Sequence, residues 1–264
     1  FGFRNQATFN NNAGGEITID RTTSAGMNLI GGTFTNAAKI TIGATNSPGQ
    51  HGIRNQSAFI NDTGGEINID RSTLVGLYQQ SGTFTNAAKI TIGASNSPGQ
   101  YGIFNESTYK NDTGGEINID RSSFYGLRNF AGTFTNAAKI TIGAMASPGM
   151  YGLVNHATFN NNAGGEISID RSTSVGLINE TNLGTIANYG KITIGAVANA
   201  GETGLVNDKT FSNYAGAEIK IDRCNYSGLY NGSVFTNEGK IAIGALANTG
   251  DHCLNNWGTF NHNA

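Results

Sequence analysis

The string GTFTNAAKITIGA occurs three times, beginning at Gly32, Gly82 and Gly132, so the chain repeats itself every 50 residues. Self-similarity of this kind means one supersecondary unit stacked on copies of itself, because a single unit cannot bury its apolar face alone. Each 50 holds two half-repeats built on one template: Gly-(Ile/Leu)-x-Asn, then (Thr/Ala)-Phe-x-Asn, then (Glu/Lys)-Ile-x-Ile. The opening glycine stands at Gly2, Gly26, Gly52, Gly76, Gly102, Gly126, Gly152, Gly176, Gly204 and Gly228, with Cys253 in the eleventh slot. The spacings alternate between 24 and 26 until 28, 24 and 25 at the end. The unit is a coil of about 25 residues in two alternating types, about ten coils in all.

Within each coil three short segments alternate apolar with polar residues, as in Leu127-x-Asn129, Phe134-x-Asn136 and Ile140-x-Ile142. Period two is the signature of a strand with one face inward. Three strands of three to five residues, joined by Gly- and Asn-rich corners, become stable only when like turns stack about 4.8 Å apart. The expectation is an all-β fold: a single-stranded parallel β-helix, or solenoid, with three short strands per coil. Glycine at 38 of 264 residues and a shortage of strong helix formers agree with many short strands and almost no helix. Residues 1–264 read as one domain, with less regular repeats over 176–264.

The inward columns are legible directly. One runs through leucine and isoleucine, a second through phenylalanine from Phe9 to Phe260 with Tyr109 and Ile186 as variants, and a third pairs isoleucines from Ile17 and Ile19 to Ile241 and Ile243. Asparagines follow two residues after the inner apolar ones, hence on the same inward side. Asn11, Asn36, Asn61, Asn86, Asn111 and Asn136 begin one such column, and a second runs from Asn5 to Asn256 with interruptions at Leu29 and Gln79. Carboxamides both donate and accept, so identical amides at strand spacing are expected to bond to each other and to the corner backbone. A charged column alternates in sign with coil type, beginning Glu16, Lys39, Glu66, Lys89. Alternation makes each neighbour an opposite-charge pair, worth ~0.2–1 kcal/mol when exposed, and penalises a slip by one coil.

The corners differ by coil type. One turns through Gly-Gly-Glu and then Asp-Arg, as in Asp20-Arg21 and Asp120-Arg121, and this dipeptide is expected to bond the neighbouring turn. The other contains Ser-Pro-Gly at Ser47, Ser97 and Ser147, where Pro-Gly suits a type II turn. Cys224 and Cys253 lie on successive turns but not in the same column, which leaves a disulfide between them open.

The template covers the whole chain and resembles the β-helical repeats of large bacterial surface proteins, the filamentous haemagglutinin-like adhesins and the passenger stalks of autotransporters. That resemblance implies a right-handed helix, a secreted or cell-surface location and a role in attachment or spacing. The chain begins and ends mid-pattern, so its expected partners are further coils of the same chain or other copies of itself end to end.

Composition and pattern argue against several other classes. The net charge of -2 is spread evenly, leaving no basic stripe to neutralise phosphates, so nucleic acid is not an expected partner. No run of 18 apolar residues and no secretion-signal pattern occurs, so membrane insertion is not expected either. A glycosidase or lyase on this architecture would gather acids at one coil and break the repeat there. Instead Asp20, Asp70, Asp120, Asp170 and Asp222 recur identically every second coil, as corner residues do. No catalytic residue, cofactor or metal is expected; a catalytic cleft would have to sit in the irregular stretches Glu180 to Asn188 or Glu202 to Asp208.

Two binding readings stand beside the mechanical one. Thr33, Thr35, Thr83, Thr85, Thr133 and Thr135 place hydroxyls and methyls on a flat outer face of the kind seen in ice-binding or carbohydrate-binding solenoids. Asn10, Ile60, Lys110 and Asn160 interrupt that grid. His51, Tyr101, Tyr125 and Tyr151 precede opening glycines and form an edge on which sugar rings would stack, or along which the rings simply pack on each other.

Overall fold

Alternating apolar and polar residues become strands because each inner side chain finds its equivalent one coil away. The computed structural model describes residues 1–180 and 183–263, and these contain 32 short strands and no helix. Three parallel sheets result, two of eleven strands and one of ten, in which each strand pairs with those three places before and after it in sequence. One circuit of chain thus adds one strand to each of three walls. We name the walls by their inward columns as the leucine, phenylalanine and isoleucine sheets.

Register is like upon like. Leu127 lies between Ile103 and Leu153, Phe84 between Phe59 and Tyr109, and Ile90 between Ile67 and Ile117. These inner side chains are completely buried. The phenylalanine rings lie face over face, Phe84 on Tyr109 at 4.8 Å and 9° and Phe134 on Phe159 at 5.0 Å and 2°. Each offset pair contributes about 0.5–1.5 kcal/mol beyond its area burial. The opening glycine is fixed by crowding: a Cβ on Gly126 would sit 2.6 Å from both the Gly152 carbonyl oxygen and Ile142 Cγ2.

The inward asparagines form ladders, and the one from Asn11 to Asn237 is continuous. Asn36 Nδ2 donates to Asn61 Oδ1 at 2.8 Å, Asn61 to Asn86 at 2.7 Å, Asn86 to Asn111 at 2.8 Å and Asn111 to Asn136 at 2.8 Å, always toward the next coil. The second N–H of Asn36 and Asn86 caps the corner carbonyls of Ala38 and Ala88. Such aligned amides polarise one another, and every buried donor is used. The second ladder is broken twice: Leu29 leaves Asn5 to bond backbone carbonyls, and Gln79 accepts from Asn55 at 2.7 Å but donates to the Ser81 carbonyl instead of to Asn105.

The charged column has the expected register, Lys89 between Glu66 and Glu116. Its ion pairs close only at the two extremes among the described residues: Glu16 with Lys39 at 3.7 Å and Glu218 with Lys240 at 3.3 Å. Between them Asn68 and Asn118 donate to Glu66 and Glu116 at 2.8 and 2.9 Å and draw those carboxylates along their own strands.

At the Ser-Pro-Gly corners Gly99 has φ 103°, the left-handed value a type II turn requires at that position. The Asp-Arg corners place arginine in left-handed geometry, Arg71, Arg121 and Arg171 at φ 58–59°. The 28-residue spacing before Gly204 places its extra residues between Asn179 and Thr185; Thr181 and Asn182, part of the Glu180 to Asn188 stretch, lie outside the described residues. On either side, Val175–Asn179 and Thr185–Asn188 keep their places in the leucine and phenylalanine sheets.

The disulfide does not form: both Cys224 and Cys253 are free thiols. Cys224 occupies the slot of Ser72, Ser122 and Ser172 behind the Asp-Arg corner and turns inward against Gly204 of its own coil. Cys253 occupies an opening-glycine slot one coil on, beside Gly228, and is exposed. The two side chains belong to different columns of the rod.

Candidate functional site

Comparison of the coils with one another separates scaffold from everything else. The isoleucine sheet repeats most closely, whereas the outward positions of the leucine sheet vary widely along the rod and carry most of the outward aromatic rings. Reading along that sheet, the residue before the opening glycine is His51, Val75, Tyr101, Tyr125, Tyr151 and Val175. The next outward column is Arg54, Tyr78, Phe104, Arg128, Val154 and Ile178. A solenoid face freed from the repeat pattern and rich in aromatics is where a surface function resides.

The rings on this face pack on each other. Tyr101 stacks on Tyr125 at 5.1 Å and 14°, and Tyr125 on Tyr151 at 5.3 Å and 18°. Stacking along the rod uses up the ring faces, so the column presents edges and hydroxyls outward rather than flat platforms. Packing along the corner is thus what these rings do, with His51 separated from them by Val75 and resting on Tyr78. Phe124 and Phe130, at 39% and 44% exposure, are the rings most open to solvent in this patch.

Arg128 is the centre of the face. Its guanidinium carbon lies 4.8 Å from the centroid of Phe130, 5.1 Å from Tyr125, 5.7 Å from Phe104 and 6.0 Å from Tyr101. Each such contact is worth about 0.5–1 kcal/mol at exposed sites and more where water is excluded. One long hydrogen bond, Nη1 to the Tyr101 hydroxyl at 3.4 Å, is present, and the buried Nε–H finds no acceptor.

Electrostatics around Arg128 are unusual for an outer face. Burial, with Arg128 adding to it, lowers the pKa of His156 to about 4, so its approach to Glu180 at 3.2 Å is made by a neutral ring at pH 7. Burial also raises the Glu180 carboxyl above its usual range. On the other side Tyr78 donates a short hydrogen bond to Glu106, and its own pKa is raised by burial first and by that bond second. His51 is lowered to about 4 by burial and by Arg54.

No family model and no curated protein matches the chain. Among solved structures, the crystal structure of a TibC-catalyzed hyper-glycosylated TibA fragment is similar at 13% identity and a TM-score of 0.31, over 99% of this chain and 97% of that one.

The threonines anticipated as a binding face lie on the phenylalanine sheet. Thr83, Thr108, Thr133, Thr158, Thr185 and Thr210 follow one another in unbroken register. The column beside them alternates Thr35, Ile60, Thr85, Lys110, Thr135 and Asn160, so it is broken at every second coil. The depressions on the isoleucine sheet are repeat features: one of about 280 Å³ is lined by Lys139, Glu166 and Lys191 of the charged column. No group of three or more His, Cys, Asp or Glu that could hold a metal occurs among the described residues, and no helix there is long and apolar enough to cross a membrane. Tyr78, Phe104, Arg128 and Phe130 were missed by reading columns for sameness; reading the same columns for difference picks them out.

Proposed function

We propose that this chain is a non-enzymatic structural protein, a rigid segment of an extracellular or cell-surface stalk, filament or adhesin. The observation that supports it is the unbroken parallel pairing of strands along all three walls, a design that supplies length, stiffness and repeated surface. Further coils of the same chain, or other copies end to end, would continue the same columns. Electron microscopy of the purified protein tests the reading: straight rods about 50 Å long, from about 4.8 Å per coil, or ordered fibres of that width, are expected. Disordered aggregates, or hydrolytic turnover of polysaccharide by the pure protein, would overturn it.

A second reading is supported by the six-threonine column on the phenylalanine sheet, a regular array of hydroxyls and methyls that suits ice or a neutral glycan. Thermal hysteresis and a glycan array test it, and silence in both leaves the mechanical reading alone.

A further inference from the structure

Arg128 places a cation amid the aromatic rings of the leucine sheet, with Glu180 near enough to feel its charge. No ion pair to it occurs among the described residues, its one hydrogen bond is long, and because its Nε–H is buried the Nη end is the edge a ligand can reach. Aromatic rings hold a guanidinium by its flat faces and leave its N–H edge unsatisfied, and that edge matches a carboxylate with two parallel hydrogen bonds. Glu106 is engaged by Tyr78, and Glu180, 3.2 Å from His156, feels Arg128 without forming an ion pair with it.

We propose that Arg128 is the anion-recognition centre of a binding site for a linear carboxylated polysaccharide lying along the leucine sheet. The phenol edges of Tyr101, Tyr125 and Tyr151, spaced 5.1 and 5.3 Å apart, offer a row of hydroxyls to the polymer's own hydroxyls. The exposed edge of Phe130 covers the C–H side of the acidic sugar unit. Size argues for a polymer strand rather than a folded partner. Six coils by one five-residue strand span about 29 by 16 Å, on the order of 450 Å², well short of the roughly 800 Å² per partner of a stable protein interface. The proposal deepens the adhesin reading and rests on it, supplying what the rod holds.

The test uses the whole chain and alginate as the probe, with carboxyl-reduced alginate as the neutral polymer and polyglutamate as the carboxylate without a sugar. Affinity electrophoresis or calorimetry is expected to show alginate binding that weakens with salt and falls at least tenfold in Arg128→Gln. Arg128→Lys keeps the charge without the fork and should fall between the two. Lys110→Ala, on the phenylalanine sheet, should bind as the parent does, and matching circular dichroism and melting establish that each variant is folded. Carboxyl-reduced alginate should bind at least tenfold more weakly than alginate. Equal binding of the neutral polymer, equal binding of polyglutamate, an unchanged Arg128→Gln, or no binding of alginate at all would each overturn the proposal. Rods seen by microscopy would still stand after any of these results, so failure here is distinct from failure of the mechanical reading.

Discussion

Asp120 and Arg121, adjacent in sequence, clamp opposite neighbours. Asp120 Oδ1 accepts the backbone N–H of Met145 and of Ala146 in the following coil at 3.1 and 3.0 Å. Arg121 Nη1 donates to the carbonyl of Gly93 at 2.9 Å, and to that of Ala94, in the preceding coil. The left-handed backbone at Arg121, φ 58°, directs the two side chains apart along the rod. Asp70-Arg71 and Asp170-Arg171 repeat the arrangement, so every second coil is tied to both of its neighbours through charge-assisted bonds.

This double clamp separates two costs that a substitution can report. Asp120→Ala strands two backbone N–H groups at a corner and is expected to cost about 1–3 kcal/mol. Arg121→Ala loses its bonds and keeps the left-handed strain, whereas Arg121→Gly loses the bonds and relieves about 1 kcal/mol of that strain. Urea unfolding should therefore rank parent, Arg121→Gly, Arg121→Ala in falling stability. An alanine variant as stable as the glycine one would show that the backbone at this corner is not strained.

Much of this architecture was legible because a solenoid writes its contacts into its period. Phe84 sits on Phe59 and Tyr109 as the columns require, and Asn61 bonds Asn36 and Asn86 as an amide at strand spacing must. What the period could not show are departures decided by side-chain competition. Glu66 turns to Asn68 on its own strand instead of to a lysine, and Asp120 and Arg121 serve different coils rather than one shared contact. The Arg128 face was invisible for a related reason: its members are not repeats of one another, and only the register brings Tyr101, Phe104, Arg128 and Phe130 together.

The asparagine ladder should be intolerant at its middle. Asn136 donates to Asn161 at 2.8 Å and accepts from Asn111 at 2.8 Å, both fully buried. Asn136→Leu leaves a donor and an acceptor of its neighbours unpaired, at about 1–3 kcal/mol each. Gln79 shows that a longer amide still accepts from the coil before it and caps its corner carbonyl, so Asn129→Gln in the second ladder is expected to cost less than Asn129→Leu. Chemical denaturation of the three variants settles the order, and equal losses for Gln and Leu at Asn129 would mean that the ladder contributes through shape alone.

Tyr109 is a phenol in a phenylalanine column. It lies fully buried between Phe84 and Phe134, at 4.8 and 4.6 Å, and its hydroxyl has no partner in the protein. Burying such a group costs about 1–3 kcal/mol, so Tyr109→Phe should stabilise the rod by an amount in that range. A melting temperature that falls in Tyr109→Phe would reveal an acceptor for the hydroxyl.

His51 and His156 predict an acid limit. Both have folded pKa values of about 4 against an ordinary 6.5, chiefly because burial disfavours the charged ring. Between those values the unfolded chain binds more protons than the folded one, so stability is full above about pH 6.5 and declines as pH falls toward 4. Melting temperature measured from pH 7.5 to pH 4 should drop over this window, and the drop should shrink in His51→Gln combined with His156→Gln. An undiminished drop in that double variant would assign the acid sensitivity to other groups.

The two thiols should differ sharply in reactivity. Cys224 is 4% exposed and its pKa is pushed up to about 12, by burial first and by Asp222 second, whereas Cys253 is exposed. The thiolate is the reactive form, so native protein is expected to take up one equivalent of a thiol reagent quickly, at Cys253, and the second only on unfolding. The equivalent serines Ser72, Ser122 and Ser172 keep buried hydroxyls with no partner, so the less polar thiol suits this slot better and Cys224→Ser should lower stability slightly. Peptide mapping that finds the native label on Cys224, or a denatured chain with no titratable thiol, would contradict the placement of both residues.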